Sequence, residues 1–122
     1  MAEINSNGYT SIRNWIDDRT TSDTWSVIEL LDDTDTPVVR LALTDSRVSI
    51  PSSQGANPYT LRIEVSPSDV DISSGQTFAG SRIFKTDTDG DEVTAIENFS
   101  SVTLNNNDDV LVVRHDIEAP QL

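Results

Sequence analysis

From residue 24 onward, apolar and polar residues alternate in short runs that are separated by turn-forming residues. In YTLRIEV, Leu61, Ile63 and Val65 fall on one side of an extended chain, while Arg62 and Glu64 fall on the other. A period of two is typical of a β-strand with one buried face. We therefore expect about seven or eight short strands. The other candidate runs are WSVIELL, VVRLALTD, RVSI, QTFAGSRIFK, EVTAIENF, SVTL and VLVVRHDIEA, with a weaker strand around Val70 and Ile72.

Clusters of Pro, Gly, Asn, Asp and Ser mark the turns, as in DDTDTP, PSSQGANP and NNNDD. Pro37 closes the first cluster, and a residue that lacks an N–H is tolerated at the start or the edge of a strand. No helical crossover separates the strands, which disfavours a parallel sheet. The pattern predicts an all-β fold, an antiparallel β-sandwich of immunoglobulin-like or jelly-roll-like type, with a barrel as the alternative.

The first part of the chain follows a different period. Its apolar residues recur at the spacing of one helical face, at Tyr9, Ile12, Trp15 and Ile16. This spacing predicts a short N-terminal helix, which needs a surface to pack on because short helices are marginal alone. We expect residues 1–23 to form an N-terminal arm with this helix and residues 24–122 to form the sandwich domain.

The composition limits the partners. The chain has 122 residues, enough for one domain, with 21 acidic and 8 basic residues and a formal net charge of −13. So negative a surface disfavours nucleic acid and anionic lipid, which bind through Lys and Arg. We expect neither nucleic acid nor a membrane as partner, because no apolar run has the length of a membrane span and the N-terminus has no leader-like pattern. Without cysteine, the chain has no disulfide and no thiolate metal site.

An acidic segment, FKTDTDGDEVTAIE, raises the question of calcium. Three aspartates occupy alternate positions that match the first, third and fifth ligands of a calcium loop: Asp87, Asp89 and Asp91. The sixth position should then be glycine and the twelfth glutamate, but they are Glu92 and Asn98. The Asp89-Gly90 pair is instead typical of a two-residue hairpin turn with positive φ at both residues. We therefore predict a hairpin tip and no metal, with calcium as the alternative.

Candidate catalytic groups are few. The single histidine, His115, is predicted to share an apolar strand face with Leu111 and Val113, and no nucleophile motif accompanies it. Carboxylate pairs occur only where turns or a helix end are expected, at Asp17-Asp18, Asp32-Asp33 and Asp108-Asp109. We predict no catalytic residue, no enzyme activity and no cofactor. Trp15 and Trp25 are interpreted as packing residues, with a sugar-stacking platform as the alternative.

The order of these segments resembles a group of small virion proteins of tailed bacteriophages. The similarity is carried by a short helix in SIRNWIDD, a strand pair in WSVIELLDDTDTPVVRLALTD, an arginine-bearing strand with an Asp-Gly turn in RIFKTDTDGDEV, and the closing SVTLNNNDDVLVVRHDIEAP. The resemblance covers the chain from Ser11 to Glu118. It implies a non-enzymatic part of a phage particle, a decoration or cement protein on the outer head lattice.

The resemblance also implies partners. They would be the major capsid protein or other virion proteins, with a homo-oligomer, such as a trimer, as the expected state on the particle exterior. We expect contacts through the terminal segments, because a terminal arm can add a strand to a neighbour's sheet edge. The candidate contact residues are Asn5, Tyr9, Trp15, Ile117, Pro120 and Leu122. One alternative is a neck or tail connector or fibre base; another is a calcium- or carbohydrate-binding module that uses Trp25 or Tyr59 for stacking.

Overall fold

The structure, a computed structural model, describes residues 25–51 and 59–117. Seven strands occur in these ranges: β1 (Val27–Leu31), β2 (Pro37–Ala42), β3 (Val48–Ser49), β4 (Tyr59–Val65), β5 (Gln76–Phe84), β6 (Glu97–Leu104) and β7 (Leu111–Ile117). No helix long and apolar enough to cross a membrane is found in this described part of the chain.

The strands form two antiparallel sheets. The larger sheet has the order β2-β1-β5-β6 and the smaller sheet has the order β3-β4-β7. The predicted all-β antiparallel sandwich is therefore confirmed. The strand order differs from that of an immunoglobulin constant domain, where the first, second, fourth and fifth strands share a sheet.

The core lies between the two sheets. Ile28 and Leu30 of β1 are fully buried there, and Leu61 and Ile63 of β4 face them from the smaller sheet. Non-polar side chains from both sheets complete the cluster, namely Leu41, Phe78, Ile83, Leu104, Val65, Leu111 and Val113. These inward positions are the apolar positions of the alternating sequence pattern, so removal of this surface from water is the main driving force for the sandwich. Trp25 packs against the same cluster, as predicted for a packing residue.

The structure confirms the predicted position of Pro37 and the predicted turn before it. Pro37 is the first residue of β2, where its missing N–H is harmless, and the β1–β2 register shifts at Leu31, opposite Pro37. The turn before it is held by Asp32, whose Oδ1 accepts hydrogen bonds from the backbone N–H groups of Thr34 and Thr36. These bonds lower the pKa of Asp32, the Thr36 bond contributing most.

The weak strand expected around Val70 and Ile72 is wrong. The segment between β4 and β5 forms successive turns, in which Asp69 N–H donates to Ser66 O (2.9 Å) and Ile72 N–H donates to Asp69 O (3.2 Å). Ile72 is buried in the core while Val70 is fully exposed. Apolar residues two positions apart thus lie on opposite sides here, because turns break the strand's alternation.

The two-residue hairpin loop predicted at Asp89-Gly90 is also wrong, although these two residues form the centre of a tight turn in which Asp91 N–H donates to Thr88 O (3.1 Å). After β5 ends at Phe84, the next paired residue is Glu92, so residues 85–91 form a longer loop. Gly90 has a φ of 95°, but Asp89 does not have a positive φ, as a two-residue turn of the predicted type would need. The connection from β5 to β6 is still antiparallel, as expected for a hairpin.

The segment after this loop is only partly a strand. Residues 93–96 lie outside the strands, and β6 begins at Glu97. Val93 N–H donates to Ile83 O (2.8 Å), and Ile83 N–H donates to Thr94 Oγ1 (3.0 Å). Ile96 packs against the outer side of β5 at Gly80. A Cβ at position 80 would lie 2.9 Å from Ile96 Cγ2, so Ile96 can come this close only because residue 80 is glycine.

Candidate functional site

A buried carboxylate lies on the outer face of the larger sheet. Glu29 of β1 has no exposed surface and lies between Arg40 of β2 and Arg82 of β5, its direct cross-strand neighbours. Arg40 Nε is 2.6 Å from Glu29 Oε2, and Arg82 Nε is 2.8 Å from Glu29 Oε1. Both guanidinium groups lie over the ring of Phe84, at 4.3 and 5.1 Å from its centroid. Each carboxylate oxygen therefore has its own charged donor, which offsets part of the desolvation cost of burying Glu29.

The acidic loop is attached to this cluster. Arg40 Nη1 is 3.0 Å from Asp87 Oδ1, and Arg40 Nη2 bonds to Asp89 Oδ1. Asp91 accepts a hydrogen bond from Thr86 Oγ1 and does not contact Arg40. The hydrogen bonds that Arg40 donates to Glu29, Asp89 and Asp87 raise the pKa of Arg40 above its ordinary value. Two of the three carboxylates considered as calcium ligands, Asp87 and Asp89, are therefore already paired with an internal cation.

A second arginine binds three aspartates in the turns after β2 and β4. Arg47 contacts Asp45 through Nη2 (2.9 Å), Asp71 through Nη1 (2.6 Å) and Asp69 through Nη1 (3.4 Å). The bond to Asp71 is bidentate, with a second contact of 2.9 Å from Nη2. The hydrogen bonds from Arg47 lower the pKa of Asp45 to about 2 and also lower the pKa of Asp71. Arg47 thus fastens the turns after β2 and β4 to each other.

A polar group lies between the sheets. Ser81 Oγ and His115 Nδ1 are 2.8 Å apart, and His115 Nδ1 is 3.3 Å from Glu97 Oε2. Ser81 and His115 are almost fully buried. Burial lowers the pKa of His115 to about 4, while Asp116 acts in the opposite direction. Burial likewise raises the pKa of Glu97.

This group contains a serine, a histidine and a carboxylate, but its geometry differs from that of a catalytic triad. In a triad one imidazole nitrogen takes the proton of the nucleophile and the other faces the acid. Here both Ser81 and Glu97 approach Nδ1, so the ring does not lie between them. The arrangement joins β5, β6 and β7, and we interpret it as a polar contact between the two sheets.

An open polar groove of about 570 Å³ lies beside the smaller sheet. Its walls come from the turns around Arg47, Ser66 and Asn107 and from Arg62 and Glu64 of β4. Within the described ranges, no cluster of three or more His, Cys, Asp or Glu side chains is arranged to hold a metal ion. Of the charged residues that line the groove, Arg47 binds three carboxylates and Arg62 contacts Glu64, so the groove has polar walls whose two arginines are paired within the chain.

The predicted contact residues fall mostly outside the described part of the chain. Ile117, the last residue of β7, is half-buried and packs against the core. The predicted helix, the division into 1–23 and 24–122, and the pair Asp17-Asp18 also involve residues that are not described, and these stay predictions. The remaining contact residues outside the described ranges are Asn5, Tyr9, Trp15, Pro120 and Leu122.

Sequence reasoning missed the arginine-centred groups. Arg40 lies on the polar side of a predicted strand and Arg47 begins a short one, but apart from Asp45 their acidic partners are distant in sequence. The available signal was the occurrence of Glu29 within the otherwise apolar run VIELL, since a carboxylate in a buried central strand requires a cationic partner.

The protein is an antiparallel two-sheet sandwich, and ion pairs centred on buried and half-buried side chains hold its loops against the strands. Comparison with protein-family models, with curated proteins and with solved structures gave no match.

Proposed function

We propose that this chain is a non-enzymatic structural protein of a bacteriophage particle, a decoration protein that binds the outer head lattice. The observation that carries the proposal is the internal use of its charged groups. Arg40, Arg47 and Arg82 each bind carboxylates of the same chain, and His115 is buried between the sheets. Such groups fix loops to a scaffold, and within residues 25–51 and 59–117 we find no nucleophile and base together in a cleft. The resemblance of the sequence to small virion proteins supports the assignment to a phage particle.

The proposed mechanism is reinforcement of the lattice. A small sandwich that binds across the seams between capsid subunits would resist the outward pressure of packaged DNA. A modest contact, repeated at many symmetric positions and shared by the subunits of an oligomer, gives high avidity without a tight single interface. The net charge of −13 would also keep coated particles apart in solution.

The first test is the copy number of the protein in purified particles, measured by quantitative mass spectrometry against the major capsid protein. A ratio near one to one, or another fixed fraction of the lattice, is the expected result. A handful of copies would place the protein at the neck or tail. Absence from the particles would contradict the virion proposal altogether.

A second test addresses the terminal segments. We expect removal of residues 1–8 to abolish binding to empty capsids while the thermal unfolding transition stays unchanged. Full occupancy of capsids by the truncated protein would show that this segment is not the attachment site. A variant with Ser101, an exposed residue of β6, replaced by alanine serves as the control for capsid binding.

Calcium binding is not proposed, because Arg40 already pairs with Asp87 and Asp89. A specific calcium site would raise the melting temperature through ligand linkage. We expect no shift with millimolar calcium beyond that seen with the same concentration of magnesium.

A further inference from the structure

The outer strand of the smaller sheet, β7, has one side that faces away from its neighbour β4. In an antiparallel pair, alternate residues direct both N–H and C=O away from the partner strand. Two hydrogen bonds fix which residues these are. Glu64 N–H donates to Arg47 O (3.0 Å) on the β3 side, and Asp116 N–H donates to Glu97 Oε2 (3.2 Å) on the opposite side of the sheet. Glu64 pairs with Val112 and Thr60 pairs with Asp116, so Val112, Arg114 and Asp116 direct their backbone groups outward.

The outward-directed positions of β7 are not equally available. Asp116 N–H is already taken by the carboxylate of Glu97. For Val112 and Arg114, no hydrogen bond on the outer side of β7 is found within residues 25–51 and 59–117, and both residues are exposed. Val112 keeps 44% of its surface in contact with solvent. Their N–H and C=O groups form a short edge to which another extended segment can pair.

The side chains beside this edge carry an unusual charge pair. Arg62 of β4 and Arg114 of β7 are direct cross-strand neighbours, and like charges at such positions are destabilising. Arg62 reaches only the half-exposed Glu64, at 3.3 Å, and Arg114 forms no ion pair with any described residue. Asp116, two residues beyond Arg114, accepts a hydrogen bond from Thr60 Oγ1 (2.6 Å) instead. Arg114 therefore contrasts with Arg40, Arg47 and Arg82, which all have internal carboxylate partners.

The area of the outer face of the smaller sheet decides whether a folded protein or an extended segment can bind there. β4 and β7 have seven residues each and β3 has two, so with strands about 4.8 Å apart this face covers roughly 250 Å². A stable contact between two globular proteins needs about 800 Å² on each partner. A second folded copy would therefore find too little surface, whereas an extended segment fits the length of one strand.

We infer that the β7 edge, formed by Val112 and Arg114, binds an extended acidic segment of another protein by strand addition. An added strand would place one of its side chains directly beside Arg114, and a Glu or Asp there would face the unpaired guanidinium. This inference rests on the proposed function, for which it supplies the chemistry of the partner: an acidic, extended polypeptide.

The test uses the full-length, isotope-labelled chain and a short peptide that alternates glutamate and valine. We expect the peptide to shift the amide resonances of Val112 and Arg114 and to slow their hydrogen exchange. A peptide with lysine in place of each glutamate should bind more weakly. Salt screens both the attraction to Arg114 and the repulsion between the peptide and a protein of net charge −13, so the two peptides are compared at one ionic strength.

Two variants separate the edge from the charge. Val112→Pro removes an outward N–H without removing a bond to β4, so the fold is retained and affinity falls by about tenfold or more. Arg114→Gln leaves the edge intact and should weaken the acidic peptide by about threefold. Ser101→Asp in β6 changes the net charge by the same amount as Arg114→Gln, and it should leave affinity unchanged.

Several results would overturn the inference. Equal affinity of the wild type and Arg114→Gln for the acidic peptide, or equal affinity of the wild type for the lysine peptide, would show that Arg114 does not select the partner. Resonance shifts that depend on protein concentration alone would show that a second copy occupies the edge. A shift of the Arg114 resonance by a DNA duplex would show that the partner is a nucleic acid. Failure of peptide binding in a protein found at a fixed ratio on particles removes only this inference. Peptide binding by a protein absent from particles removes only the proposed function.

Discussion

On the outer face of the larger sheet, Arg40 and Arg82 converge on Glu29, whereas on the outer face of the smaller sheet Arg62 and Arg114 face each other. Glu29 is fully buried, and Phe84 lies below both of its arginines. Val112 and Arg114 are exposed. The same residue type therefore serves two purposes: one pair of arginines stabilises the fold, and the other leaves positive charge available on a very acidic protein.

Loss of the buried carboxylate should have the largest effect on stability. Glu29→Gln removes the charge shared by Arg40 and Arg82 and leaves both guanidinium groups against a neutral, poorly matched amide. We expect the free energy of unfolding to fall by about 3 kcal/mol, the lower part of the range for breaking a buried ion pair, because the arginines are partly exposed. Urea denaturation measures this change. Glu64→Gln is the matched control on the smaller sheet, and a loss there of the same size would remove the contrast between the two faces.

The polar group between the sheets should give a pH-dependent stability. The pKa of His115 is about 4 in the folded protein and near 6.5 when exposed, so at intermediate pH the unfolded chain binds the extra proton. Stability should therefore decrease as the pH falls from 6.5 to 4, by about 2 kcal/mol. The raised pKa of Glu97 acts in the opposite direction near its own titration, because the folded state then binds the proton.

Denaturation curves at several pH values measure this slope for the wild type, His115→Gln and Glu97→Gln. His115→Gln should flatten the curve between pH 6.5 and 4, and Glu97→Gln should steepen its lower part. An unchanged slope in His115→Gln would show that another group controls the acid response.

Arg47, beside the edge of the smaller sheet, is a further arginine that binds carboxylates of the same chain, as Arg40 and Arg82 do on the larger sheet. Arg47→Gln leaves three aspartates close together, and we expect a loss of about 1.5 kcal/mol, since its partners are partly exposed and solvent screens them. The pKa values of Asp45 and Asp71 are lowered in the folded state, so the stability that these groups provide is present above pH 4 and is lost as the pH falls toward 2. The variant should lose less stability than the wild type over that acidic range. A parallel acid titration of the two proteins would contradict this role for Arg47.

The smallest effect should have the opposite sign. Arg114→Glu replaces a like-charge cross-strand pair with an opposite-charge pair beside Arg62, so we expect a gain of about 0.5 kcal/mol. The measurement is the same urea titration, with Arg82→Glu as the contrasting variant, which should destabilise strongly. A destabilised Arg114→Glu would mean that Arg114 already has a structural role.

The candidate contact edge could be predicted only in part. The alternation of VLVVRHDIEA correctly assigned Val113 and His115 to the interior and Arg114 to the exterior. It gave no indication that β7 ends a sheet, or that Arg62 is the neighbour of Arg114. Those facts depend on strand order, which the chain fixes through contacts between distant segments.

Local patterns were enough to predict the class of fold and the inward face of the strands, because a period of two and the burial of apolar side chains are local properties of an extended chain. The sequence also predicted the acidic surface, which is a matter of composition. Three features required the folded chain to be seen: Asp87 and Asp89 pair with Arg40, Ile72 enters the core from a turn, and His115 contacts Ser81. Each of these contacts joins separate segments, and their energies depend on burial and on distances that no local pattern contains.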